Sequence, residues 1–185
     1  MIYKTLRFGE LDLLPNDVVT FPNGIFGFPE LHRYCLVDPG EDTLIVWLQS
    51  LEDLGIAFPV LEPKIFKQNY IVRLSPVELK DLKLVNLASQ SAAVFTILTI
   101  PQDVTQMSAN LKAPLVVNLN EQVGKQVVLQ ENEYTLKHFM FKELKTHIVT
   151  IESSKLAQQA SYRKNNSASL ISLNGMTAST QVKQL

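Results

Sequence analysis

Residues 114–129 read Pro-Leu-Val-Val-Asn-Leu-Asn-Glu-Gln-Val-Gly-Lys-Gln-Val-Val-Leu. Leu115 to Asn118 and Gln126 to Leu129 are short and rich in β-branched residues, which suit a pleated, half-buried surface. Between them Val123-Gly124-Lys125 offers a glycine that can adopt positive φ, so the stretch reads as a hairpin reversing at Gly124. Working outward, similar runs occur at Asp17 to Phe21, Tyr34 to Val37, Thr43 to Gln49, Ile56 to Leu61, Tyr70 to Leu74 and Val94 to Thr99. Asn23-Gly24, Pro39-Gly40 and Leu54-Gly55 punctuate them as further reversals. Short strands at this spacing predict a mainly β chain, a barrel or a sandwich.

Helical signals are few. Ser75-Pro76-Val77-Glu78 supplies an N-cap serine, a proline at the first helical position and a glutamate placed to cap in return, so a short helix through Leu82 is predicted. Pro29 to Arg33 reads as one further turn of helix. Tyr134 to Phe141 alternates in a way that fits a strand or a helix equally.

At 185 residues the chain has room for one core, and 46% hydrophobic with 19% charged residues is the composition of a globular protein. The opening Met1 to Arg7 lacks the pattern of a secretory signal, and the longest apolar runs are strand-sized, well short of a membrane span. Cys35 is the only cysteine, so no internal disulfide forms. The expected compartment is the cytoplasm, with no membrane association. All 18 acidic residues lie at or before Glu152; residues 1–154 therefore carry 13 basic against 18 acidic groups, a balance of −5, and the remainder carries +4. Such a core has no long-range attraction for RNA or DNA, so no direct nucleic-acid partner is expected, and it would instead attract a basic protein. From Glu152 onward 16 of 34 residues are Ser, Thr, Asn or Gln. The expected organisation is a β domain over 1–151 and a polar, basic tail over 152–185, flexible or weakly helical through Leu156, Ala160, Leu170, Ile171, Leu173 and Met176.

Chemistry-bearing clusters are missing. His32, His138, His147 and Cys35 form no metal-type spacing, and no nucleophile elbow or Walker loop occurs. Gly24-Ile25-Phe26-Gly27 has bulky apolar residues where a phosphate would need room, and reads as a turn. No catalytic residue, cofactor or metal is expected, and the chain reads as a non-enzyme. Between Tyr34 and Pro63 stand six acids, Asp38, Glu41, Asp42, Glu52, Asp53 and Glu62, with no Lys or Arg. This run is either a solvated negative face or a steering surface for a basic partner.

The segment Val19-Thr20-Phe21-Pro22-Asn23-Gly24-Ile25-Phe26-Gly27-Phe28-Pro29 resembles the N-terminal signature of the flagellar assembly factor FliW family, Phe-Pro-x-Gly-Ile-x-Gly-Phe. In the family's order follow Trp47-Leu48-Gln49-Ser50, Ile56-Ala57-Phe58-Pro59-Val60 with Pro63, Tyr70, Val94-Phe95-Thr96-Ile97, Ser108 to Asn118, and Gly124 with Gln126. The resemblance spans Ile2 to about Lys137. Phe26 departs from it, standing where the family commonly has proline, and either alters the turn or exposes an aromatic contact.

The resemblance implies a compact, mostly antiparallel β-barrel-like domain with short helices; the C-terminal extension is a second departure and gains no support from it. It implies two competing partners, flagellin and the translational repressor CsrA. Bound to flagellin, the factor leaves CsrA free to repress flagellin translation; released by flagellin export, it binds CsrA and relieves repression. The alternatives are a flagellin chaperone without a regulatory role, or a small barrel RNA-binding module, against which the acidic core argues. Glu41, Asp42, Glu52 and Asp53 are the candidate partner contacts, with Phe26, Asn110 and Asn118. The two asparagines either hold a loop or face a partner. Phe21, Ile25, Phe28, Trp47, Phe58 and Phe95 read as core.

Overall fold

The hairpin of residues 114–129 is present in the computed structural model, with its strands placed differently. Leu115–Asn118 (β9) pairs antiparallel with Val123–Gln126 (β10), Val123 opposite Asn118 and Gln126 opposite Leu115. The reversal lies at 119–122, with Gln122 at φ 52°. Gly124 is therefore inside a strand and not at the turn. Its role is clearance: a Cβ there would stand 2.7 Å from Cε1 of the fully buried Phe21 ring. Val127 and Leu129 continue alongside the partner strand by donating to the carbonyls of Pro114 and Lys112.

The structure describes residues 1–40, 43–87 and 91–148. It divides into two units, Met1–Glu143 and Leu144–Leu185; residues 141–148 are helical, and the tail expected over 152–185 lies outside the described residues. In chain order the remaining strands are Ile2–Thr5 (β1), Gly9–Asp12 (β2), Val18–Thr20 (β3), Arg33–Val37 (β4), Val46–Ser50 (β5), Ala57–Leu61 (β6), Ala92–Thr99 (β7), Ser108–Ala109 (β8) and His138–Phe139 (β11). The ring β7-β6-β5-β4-β3-β10-β9 closes because β9 also pairs with β7, from Ala92–Asn118 to Phe95–Leu115. This is a seven-stranded barrel, antiparallel except where β10 meets β3 in parallel at Val123 and Thr20. Closure removes the open edges that a free sheet would expose.

Residues of period two fill the interior: Val19, Phe21, Ile25, Leu31, Tyr34, Leu48, Val60, Leu115 and Val117, with Phe28, Phe58 and Phe95 packed against them. Phe21 meets Tyr34 edge to face at 5.4 Å, and Phe28 meets Phe58 likewise at 5.2 Å. Trp47 is not in this core. Leu48 occupies the inward position of β5, so Trp47 points outward, where Phe8 packs at 5.9 Å and the Arg7 guanidinium lies 4.0 Å from its ring centre. Both come from the loop of the β1–β2 hairpin, whose strands the sequence reading did not identify.

The helix Pro76–Asp81 (α1) opens as predicted, with Ser75 accepting from the Glu78 N–H and Glu78 accepting from the Ser75 N–H. It ends at Leu82, after which Lys83 turns left-handed at φ 52° and Leu84 donates back to Leu79. Other expectations are corrected. Tyr70 to Leu74 is not a strand: the Tyr70 hydroxyl donates to the Leu111 carbonyl and the Ile71 N–H to the Tyr134 hydroxyl, so side-chain bonds replace a ladder. Pro29 and Glu30 form a turn and Arg33 already belongs to β4, so no helix forms there. The segment Tyr134 to Phe141 contains β11 and then the start of the 141–148 helix.

Candidate partner-binding groove

The stretch Phe21 to Phe28 is a tight double turn. Gly24 donates to the Phe21 carbonyl at 2.9 Å and sits at φ 64°, where a Cβ would stand 2.7 Å from Pro29 Cα. Only glycine satisfies both conditions. Ile25 and Phe28 then exchange N–H···O bonds of 3.3 and 2.7 Å around Phe26 and Gly27. Ile25 is buried and Phe28 half-buried, so the turn is anchored at both ends. Phe26 between them is 59% exposed. The ring is thus exposed, as one of its two sequence readings expected.

Behind this turn runs a chain of hydrogen bonds. The Phe26 N–H donates to Gln126 Oε1 at 2.9 Å; Gln126 Nε2 donates to the Ala113 carbonyl at 3.0 Å; the Ala113 N–H donates to Asn110 Oδ1 at 2.9 Å. Phe26, Asn110 and Gln126, far apart in the chain, therefore meet on one side of the barrel. They border an open groove of about 420 Å³ whose walls include Phe58, Ile97, Val128 and Leu136. Leu136 is 68% exposed and Val128 is exposed as well. Pairing of β6 with β7 is confined to Val60–Ile97 and Leu61–Thr96, and Phe58, just before that pairing, lines the groove with Ile97. On the other flank of Phe26 a second cleft, lined by Pro22, Asn23, Gly24, Asp81 and Lys125, is spanned by the 2.6 Å Lys125–Asp81 ion pair. Val128, Leu136 and the linking role of Gln126 were not singled out from sequence.

The other candidates lie elsewhere. Asn118 is buried and holds a loop: its Nδ2 donates to the carbonyls of Leu82 and Lys83, and its Oδ1 accepts from Asn120 and Glu121. Glu52 is turned onto its own chain, accepting from the N–H groups of His32 and Arg33 and from Arg33 Nε. The His32 N–H above all, together with the Arg33 groups, holds its carboxyl below the ordinary range against the opposing effect of burial. Asp53 is exposed and accepts from the Gly55 N–H. Glu41 and Asp42 lie outside the described residues.

A cleft of about 500 Å³ between Pro63, Tyr70–Val72 and the start of β7 is lined mainly by apolar residues, with Glu62 and Lys64 among them, and brings together none of the candidate partner contacts. Cys35 is buried, and burial first, then Asp17, pushes its thiol up to about 11, which keeps it protonated. Among the described residues no group of three His, Cys, Asp or Glu side chains is placed to hold a metal ion, and no helix is long and apolar enough to cross a membrane.

Comparison with known proteins places the same residues in one family. The family model for FliW protein matches residues 2–140. A flagellar assembly factor FliW of Bdellovibrio bacteriovorus is 43% identical over 149 residues, covering 80% of this chain and 84% of the relative. One from Ruminiclostridium cellulolyticum is 38% identical over 145 residues, covering 78% of this chain and 97% of the relative. A crystal structure of the flagellar assembly factor FliW superposes with a TM-score of 0.70 at 30% identity, covering 76% of this chain and 96% of that one.

Proposed function

The chain belongs to the FliW family of flagellar assembly factors, and on that premise we propose that it is a non-catalytic, cytoplasmic factor that holds flagellin and CsrA in exchange. The observation that carries this reading is the Phe26 groove. An exposed aromatic, flanked by exposed Val128 and Leu136 and fixed from behind by hydrogen bonds, has the make-up of an apolar anchor with a polar rim. Flagellin takes this groove. The acidic run from Asp38 to Glu62 steers CsrA, a basic partner, chiefly by raising the association rate over the screening length of about 8 Å at physiological salt.

Mutual exclusion is part of the proposal, and one chain of hydrogen bonds supports it. Phe21, where the groove-side turn begins, exchanges bonds with His32, donating its N–H to the His32 carbonyl at 2.7 Å; His32 and Arg33 are in turn held by Glu52. The turn that carries Phe26 is therefore linked through His32 and Arg33 to Glu52, one acid of the Asp38-to-Glu62 run. A standard interface takes roughly 800 Å² from each partner, ample to cover both. The test is gel filtration of the purified protein with flagellin and, separately, with CsrA. Co-elution with each supports the reading; co-elution with flagellin alone would leave a chaperone without a regulatory role, and co-elution with neither would end it.

A further inference from the structure

We infer that Gln126 is a positioning residue for the Phe26 anchor, an inference that rests on the groove being the flagellin site proposed above. The Gln126 amide is 7% exposed and both of its polar atoms are used, Oε1 by the Phe26 N–H and Nε2 by the Ala113 carbonyl. Asn110 fixes Ala113 from the other side. The residue thus ties β10 to two loops, and one of the two ties ends on the backbone of the exposed Phe26 in the 21–28 turn.

Packing of the fold does not require that tie. Ile25 and Phe28 already close the turn by their mutual bonds, and the Phe26 ring projects into solvent. What the Gln126 bond adds is a fixed direction for an exposed ring. A side chain whose backbone is already ordered loses less freedom when a partner closes over it, and that saving appears as affinity. Gln126 borders the groove but is itself buried, and it acts on the partner through the Phe26 backbone that it holds.

The experiment is a double-mutant cycle on flagellin binding, with full-length protein and purified flagellin as probe. Gln126→Met keeps the side-chain length and removes both bonds; it is expected to weaken binding about three- to tenfold, mainly through faster dissociation. Phe26→Ala is expected to weaken it tenfold or more. The double variant should bind no worse than Phe26→Ala alone, because a positioning residue has nothing left to position. Losses that multiply, or a Phe26→Ala variant that binds normally, would overturn the inference while flagellin binding itself stands. A wild-type chain that does not bind flagellin would overturn the underlying reading and the inference with it. Should Gln126→Met fail to fold, amide hydrogen exchange on the wild type decides: the Phe26 N–H is expected to be protected despite its exposed side chain, and free exchange there would refute the tie.

Discussion

A methyl group added at Gly124 would have to share space with the Phe21 ring, 2.7 Å from Cε1. Phe21 is fully buried against Tyr34, so the ring has no free volume into which to retreat. Gly124→Ala is expected to cost about 1–3 kcal/mol by overpacking, seen as a lower urea midpoint with an unchanged slope; an unchanged midpoint would mean that the ring yields. Glu52 behaves differently, because its contribution depends on pH. Its carboxyl titrates below the ordinary value of 4.5 in the fold, held down first by the His32 N–H. A depressed carboxyl stabilises fully above the unfolded pKa, and the contribution is lost as pH falls through the folded one. Wild-type melting temperature should therefore drop more steeply below about pH 4.5 than that of Glu52→Gln. Parallel acid limbs for the two proteins would contradict the assignment.

Between elements, Asn118 joins the end of α1 to the β9–β10 turn, beside the Lys83–Glu121 ion pair. Asn118 satisfies the last carbonyls of the helix region at Leu82 and Lys83, and also two N–H groups of its own turn. Asn118→Ala would leave buried polar groups without their partner, and is expected to cost about 2–3 kcal/mol, measured by chemical denaturation; a loss below about 0.5 kcal/mol would show that water replaces the side chain. The elements legible in the sequence are those whose signal is local: the β-rich runs of β3, β4, β5, β6, β7 and β9, and the Ser75-to-Glu78 capping box. What was not legible depends on residues distant in the chain. Gly124 reads as a turn until Phe21 is known to press on it, and Trp47 reads as core until the β1–β2 hairpin is seen to cover it from outside. The Gln126–Phe26 bond links residues 100 positions apart. Tyr70 to Leu74 has strand-forming residues but no neighbour to pair with, since side chains of Tyr70 and Tyr134 take up the available bonds.

For the whole molecule, the barrel closes within Met1–Glu143, and the family match ends at residue 140. We therefore expect truncation after Ile151 to leave melting temperature and flagellin affinity near those of the full chain; a fall of several degrees would show that the removed segment stabilises the core. The central claim is exchange, and it carries a thermodynamic requirement: if flagellin weakens CsrA binding, CsrA must weaken flagellin binding by the same factor. The most direct measurement is a titration of flagellin into a preformed complex of this protein with CsrA, followed by light scattering on a gel-filtration column. Free CsrA is predicted to rise with flagellin as the protein passes into the flagellin complex. A stable ternary complex, in which neither partner weakens the other, would contradict the account.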